Sequence, residues 1–176
     1  MPRKIMFVGG VHGVGKSTLC NSIVVRLNAE HHSASELISR IGKVNHSTNK
    51  RVADIGKNQD ALITAVNEYL VDEKLYLLDG HFCLLNQIGN VAEIPLSTFE
   101  AISPVAIVVL FDEPKNIHAR LKQRDKERYD VDTLSSFQAK EMSYSELVAS
   151  NLNVPFLKAS PLIDSDEIFR FANSFL

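Results

Sequence analysis

Residues Gly10 to Ser17 read Gly-Val-His-Gly-Val-Gly-Lys-Ser, a complete G-x-x-x-x-G-K-[ST] loop. No other stretch constrains the fold as much, because such a loop works only between a strand that holds it and a helix start that aims it. Both partners are legible. The apolar run Lys4-Ile5-Met6-Phe7-Val8 precedes the loop, and Leu19, Cys20, Ile23, Val24 and Leu27 follow it on one helical face. Successive backbone N–H groups and the positive helix end then surround a phosphate. Gly10, Gly13 and Gly15 let the backbone curl without Cβ clashes, Lys16 reaches toward the β/γ-phosphates, and the Ser17 hydroxyl can ligate Mg²⁺. The motif in this context predicts binding of a nucleoside triphosphate.

A chain of 176 residues suits a single domain, 1–176, with a substantial core. A net charge of −2 argues against an extended nucleic-acid surface, which needs a marked basic excess, but leaves room for a local anion site. Cys20 and Cys83 form no C-x-x-C pair, so neither a disulfide framework nor a zinc site is suggested. Cys20 falls on the apolar face of the first helix, where a thiol packs as a small hydrophobe. The apolar stretch near the N-terminus is too short for a signal-peptide core or a membrane span. The expected location is the cytoplasm, with no membrane partner.

Apolar runs alternate with longer amphipathic stretches, the pattern of an α/β fold with a parallel sheet wrapped by helices. Strands are predicted at 4–8, about 31–34, 75–79, 106–111 and 154–158. Leu75-Tyr76-Leu77-Leu78 and Val105 to Phe111 are near-continuously apolar, as strands buried on both faces are. Helical stripes run through Leu62, Ile63, Val66, Tyr69 and Leu70, and through Phe137, Tyr144, Leu147 and Val148, where Glu141 is a polar interruption. Ile168, Phe171, Ala172 and Phe175 form a final stripe. Residues 82–97 fit neither pattern. Asn86-Gln87-Ile88-Gly89-Asn90 reads as a turn between two short extended pieces, a hairpin or irregular insertion covering part of the site.

Four features lie where they can complete a site around the loop. Asp79 ends a buried apolar strand, at the carboxyl edge where ligands of parallel sheets bind, and can hold Mg²⁺ or orient an acceptor. His81 beside it suits either a substrate contact or a local hydrogen bond. Asp112 after the fourth strand reads equally as a group behind Mg²⁺ or as a helix cap. Arg120, Arg124 and Arg128 recur every four residues, a drift of about 40° per step on a helix, and Arg forks stabilise a transferring phosphoryl group. Ser33-Ala34-Ser35-Glu36 has capping-box spacing, and Arg40 and Arg51 nearby can bind an acceptor phosphate or remain surface charges.

Three pieces together resemble the nucleoside monophosphate kinase branch of the P-loop proteins. They are Gly9 to Thr18, Leu-Leu-Asp-Gly-His at 77–81, and Arg120-Leu121-Lys122-Gln123-Arg124 after the fourth strand. The likeness is to archaeal-type adenylate kinases and to small AAA-type ATP-binding proteins similar to them. It implies a three-layer P-loop NTPase fold with a five-stranded parallel sheet flanked by helices. It also implies an acceptor-binding segment at about 33–72 and an arginine-bearing lid at about 115–135. By that resemblance Gly13, Val14, Gly15, Lys16, Ser17 and Thr18 hold the ATP phosphates. Arg120 and Arg124, with Arg128, come from the lid, and the loop around Ala159, Ser160 and Pro161 touches adenine. Glu36, Arg40, Arg51, His81 and Arg128 are the acceptor-side candidates, and Ser17 and Asp79 the metal-side ones.

One departure matters. Ordinary adenylate kinases read Asp-Gly-Phe-Pro-Arg at the end of strand three, with the Arg on AMP, whereas this chain reads Asp79-Gly80-His81-Phe82-Cys83. The acceptor is therefore open. The expectation is an ATP-dependent phosphotransferase acting on a small acceptor, a nucleoside monophosphate first among them, with Lys16, Arg120, Arg124 and Asp79 as its chemistry. The alternative is an ATP-binding switch or ATPase that works through a protein or RNA partner. A GTPase is disfavoured because Asn49-Lys50 is followed by Arg51-Val52 and no N-K-x-D results.

Overall fold

The computed structural model describes residues 3–44, 55–71, 73–85, 90–124 and 129–176. Five strands, β1 (Lys4–Gly9), β2 (Ala29–Ser33), β3 (Leu75–Asp79), β6 (Ala106–Leu110) and β7 (Phe156–Ala159), form one sheet in the order β2-β3-β1-β6-β7. Every pairing in it is parallel. A second, two-stranded antiparallel sheet pairs β4 (Cys83–Leu85) with β5 (Val91–Glu93). The helices are α1 (Lys16–Val24), α2 (Ala34–Val44), α3 (Ile55–Tyr69), α4 (Leu96–Ile102), α5 (Pro114–Arg124), α6 (Val131–Leu152) and α7 (Ser165–Asn173).

The sheet explains the sequence pattern strand by strand. β3 and β6 are buried at every position, which is why both read as unbroken apolar runs. β2 is an edge strand paired to β3 alone, so its sequence Ala-Glu-His-His-Ser stays half-exposed and polar. It also begins earlier than the pattern predicts, because pairing with Leu75 captures Ala29. β7 starts later than predicted, at Phe156, after α6 closes on Asn153 in the left-handed conformation. α6 opens on Asp130, whose carboxylate accepts the Thr133 backbone N–H at 2.7 Å.

Between β3 and β6 the chain makes the expected hairpin, and then a helix, α4, that periodicity did not reveal. Its turn at 86–89 lies outside the described residues. α4 is only seven residues long, too short to show a period, and contributes Phe99 to an aromatic cluster. Phe99 stacks on Phe82 at 4.9 Å between centroids, and both meet the Phe7 ring edge-on. α6 clamps the hairpin from behind, where the Tyr144 hydroxyl donates to the Ile94 carbonyl at 2.6 Å and Lys140 pairs with Glu93 at 2.6 Å. Both cysteines are free and buried. Among the described residues no helix is long and apolar enough to cross a membrane.

Adjacent rows of the sheet converge on one edge. Ser33 of β2 lies opposite Asp79 of β3, and Asp79 opposite Val8 of β1, two residues before the phosphate loop begins. This brings two strand ends and a loop together without any long connection. Gly9 shows how tight that corner is, since a Cβ there would sit 2.3 Å from the Phe82 ring. Gly9→Ala is therefore expected to cost about 2 kcal/mol through overpacking, read as a lower urea midpoint with the slope unchanged.

Candidate nucleotide and acceptor site

The loop between β1 and α1 has the glycine geometry its sequence implied. Gly13 and Gly15 sit at φ 82 and 107, in the region that favours glycine, and a Cβ at Gly13 would approach Leu121 of α5 to 2.8 Å. Val14 is fully buried and anchors the loop, while Gly13, Gly15, Lys16, Ser17 and Thr18 line a cavity of about 980 Å³. Lys16 is buried, and its ammonium donates to the carbonyls of Gly10 at 2.7 Å and Val11 at 3.1 Å. Burial lowers its pKa, and the Glu141 and Asp79 carboxylates oppose that fall. A cation held on the loop's own carbonyls is free to exchange them for incoming phosphate oxygens.

Asp79 is the hub of the opposite wall. Its Oδ2 accepts the Ser17 hydroxyl at 3.0 Å and lies 2.6 Å from His31 Nε2, while Asn21 Oδ1 lies 2.9 Å from the other nitrogen of that ring. Burial pushes the Asp79 pKa up, but the His31 and Ser17 hydrogen bonds outweigh it, and the carboxyl is held below its ordinary value. His31 was not among the residues singled out from sequence. Its signal was faint: a polar residue on a strand predicted to start only there. The Cys20 thiol completes a group with His31 and Asp79 whose donor atoms lie within 4.8 Å of one another.

Glu141 is the second residue that sequence reasoning missed. It is wholly buried, and its carboxylate accepts the N–H groups of Gly10 at 3.0 Å, Phe82 at 2.8 Å and Cys83 at 2.7 Å. Burial raises its pKa, while those donors and Lys16 pull it back toward ionisation. One side chain of α6 thus ties the start of the phosphate loop to the strand that follows Asp79.

Arg120 and Asp112 resolve into a brace. Arg120 donates to the Gly13 carbonyl at 3.0 Å and the Val14 carbonyl at 3.4 Å, and its other nitrogen pairs with the Asp112 carboxylate. Asp112 also accepts from the Glu113 N–H at 2.7 Å and the Asn116 amide at 3.1 Å, so of its two readings the helix-start role is the one the contacts carry. Gln138 fixes the Asp112 backbone from α6 at 3.1 and 2.9 Å. Arg124, one turn on, lines the cavity. Ala159 and Ser160 are buried at the end of β7, where Asp164 accepts the Ser160 N–H at 2.7 Å, and neither lines the cavity. Their neighbour Pro161 lies 3.7 Å from a Cβ built on Gly15, so this loop abuts the phosphate loop.

The cavity continues past the phosphate loop toward α2, α3 and the hairpin. Glu36 and His81 line it; Arg40 does not, because its guanidinium lies 5.6 Å over the Tyr69 ring. Ser33 Oγ meets Ser35 Oγ at 2.9 Å at the start of α2. Arg51 and Arg128 lie outside the described residues. His81 is neutral at physiological pH: burial, Lys16 and His12 push its pKa down to about 3, opposed in part by a hydrogen bond with the Gly10 backbone.

Residues 9–138, well over half of the chain, match the sequence pattern of the AAA domain family. The chain belongs to that family. Its architecture is shared by solved structures of low identity. A gluconokinase from Sinorhizobium meliloti superposes with a TM-score of 0.54 at 16% identity, over 98% of this chain and 90% of that one. A shikimate kinase from Bacteroides thetaiotaomicron gives 0.57 at 14%, over 98% and 97%. A shikimate kinase from Acinetobacter baumannii, in complex with shikimate, gives 0.58 at 14%, over 99% and 94%. No curated protein matches the sequence. This AAA domain thus has the P-loop kinase-like fold of those structures, a five-stranded parallel sheet flanked by helices.

Two outcomes follow from the buried carboxylates. Glu141→Gln puts an amide NH₂ among three N–H donors and is expected to cost about 3 kcal/mol in urea unfolding. Asp79 contributes stability that is present above the unfolded carboxylate pKa and lost as pH falls through its lower folded value. His31→Ala removes the strongest hydrogen bond behind that depression, so Tm in the variant is expected to fall less steeply than in wild type between about pH 5 and pH 3.

Proposed function

We propose that this AAA domain is an ATP-dependent phosphotransferase that moves the γ-phosphoryl group of Mg·ATP to a small acceptor. The observation that supports this reading is the continuity of one cavity. Lys16, Ser17 and Asp79 stand at its phosphate end, and the same space runs on to the wall formed by α2, α3 and the hairpin. A hydrolase needs room for a water at that point; a transferase needs room for a second molecule. The kinase identities of the solved structures that share the fold favour the second. A nucleoside monophosphate is the acceptor that the sequence resemblance implies.

Magnesium suits the residues present. The Ser17 hydroxyl and the Asp79 carboxylate are hard oxygen donors 3.0 Å apart at the foot of the phosphate loop. They would hold the ion directly or through its water, and bound there it would neutralise charge on the β- and γ-phosphates. The protein's own groups do the rest. Lys16 leaves the Gly10 and Val11 carbonyls for the phosphates, and Arg120 stiffens the loop by holding its Gly13 and Val14 carbonyls. Arg124 of α5, which lines the cavity, would meet the transferring group. The acceptor oxygen bonds to the γ-phosphorus as the bond to the β–γ bridging oxygen breaks and ADP leaves. The proton of a hydroxyl acceptor passes to the new phosphate ester, whose second ionisation returns it to solvent. Closure around both substrates excludes water and suppresses hydrolysis.

The test is incubation of the protein with Mg·ATP and a panel of acceptors, followed by mass spectrometry for phosphorylated product and ADP. Transfer is expected, and Lys16→Ala is expected to reduce it about 10²- to 10³-fold with an unchanged circular dichroism spectrum. Hydrolysis that no acceptor accelerates would instead favour the ATPase switch.

A further inference from the structure

Two buried polar atoms have no hydrogen-bond partner among the described residues, Gln59 Oε1 and His81 Nδ1. Both residues line the cavity described above. Gln59 lies on the inner face of α3 and is only 6% exposed. Leaving a buried acceptor unmatched costs about 1–3 kcal/mol, and native proteins rarely tolerate it without a reason. Two such atoms on one cavity point at what the cavity receives. The unpartnered ring nitrogen of His81 accepts or donates according to the ring's tautomer, so it asks for a polar group of the ligand. The amide oxygen of Gln59 is an acceptor only and asks for a ligand that donates.

The rest of that wall agrees. Glu36 of α2 adds a carboxylate at its rim, and Phe99, Leu62 and Ile38 supply an apolar surface against which a flat ring can lie.

We infer that the acceptor end of the cavity binds a ring-bearing alcohol that gives a hydrogen-bond donor to Gln59 Oε1 and sets a second polar group against His81 Nδ1. Nucleosides and cyclic polyols both have this chemistry. The inference names the acceptor class of the phosphotransferase reading and rests on that reading only for calling the ligand an acceptor.

Calorimetric titration of the full chain, with Mg²⁺ and a non-hydrolysable ATP analogue present, separates the possibilities. The probes are adenosine, guanosine, thymidine and cytidine; myo-inositol; and AMP and gluconate as anions. Binding of a nucleoside, AMP or myo-inositol, with the acyclic gluconate weaker, is the expected result and identifies the source. Gln59→Leu is expected to weaken that probe about tenfold or more while leaving the Kd of the ATP analogue unchanged. Gln59→Glu keeps an acceptor oxygen and is expected to restore most of the affinity. Tighter binding of gluconate, failure of every ring-bearing probe, or an unchanged affinity in Gln59→Leu each overturns the inference. Binding that depends on Gln59 but yields no phosphorylated product with ATP supports the ligand class and defeats the phosphotransferase reading instead.

Discussion

A carboxylate sealed from water holds the phosphate loop of this protein in place. Glu141 reaches from α6 through the sheet edge and accepts three backbone N–H groups, one at the start of the loop and two just beyond β3. Burying an anion is expensive, and only several donors together with a nearby cation make it tolerable. Lys16 is that cation, and the two groups raise each other's tendency to stay charged. The consequence is mechanical. The loop cannot move relative to Asp79 without breaking charge-assisted bonds, so the groups that would meet phosphate and metal are registered to one another before any ligand arrives. Arg120 does the same from the other side, linking α5 to two loop carbonyls and to Asp112.

The two ends of the cavity are built on opposite principles. At the phosphate end nearly every polar group has a partner: Lys16 on carbonyls, Ser17 and His31 on Asp79, Asp112 on Arg120 and Asn116. Such satisfied networks are rigid and suited to preorganised electrostatics. At the other end Gln59 Oε1 and His81 Nδ1 are unmatched among the described residues, and the wall comes from α2, α3 and a short hairpin rather than from the central strands. A donor nucleotide of fixed chemistry can be met by a fixed frame. A second substrate is met by groups whose hydrogen bonds are completed only when it binds.

Much of this was legible before any coordinates. The phosphate loop carries its own geometry, because only glycines reach the backbone angles of Gly13 and Gly15, and its strand and helix were in register with it. β3 and β6 announced themselves as buried on both faces, which set Asp79 at the ligand edge. What stayed hidden follows one rule: pattern reading ranks residues by their neighbours in sequence, and these act through neighbours in space. Glu141 looked like a flaw in an apolar stripe because its three donors lie far away in sequence. His31 sat on an edge strand whose polar composition blurred the strand itself. Arg40 reads from sequence as either an acceptor contact or a surface charge, and only the structure shows its guanidinium turned onto Tyr69.

The same rule explains why the acceptor was the hardest part to read. Phosphate recognition uses backbone N–H groups, which demand glycines and so mark the sequence. Acceptor recognition uses side chains such as Gln59, which look like ordinary polar residues on an amphipathic helix. Only burial distinguishes them. A glutamine 6% exposed with its oxygen unmatched is costly in the unliganded protein. That cost is returned when a donor arrives, so the energetic deficit is itself the specificity: a molecule with an N–H or O–H at that point gains what the unliganded site lacks, and one presenting only a lone pair there gains nothing.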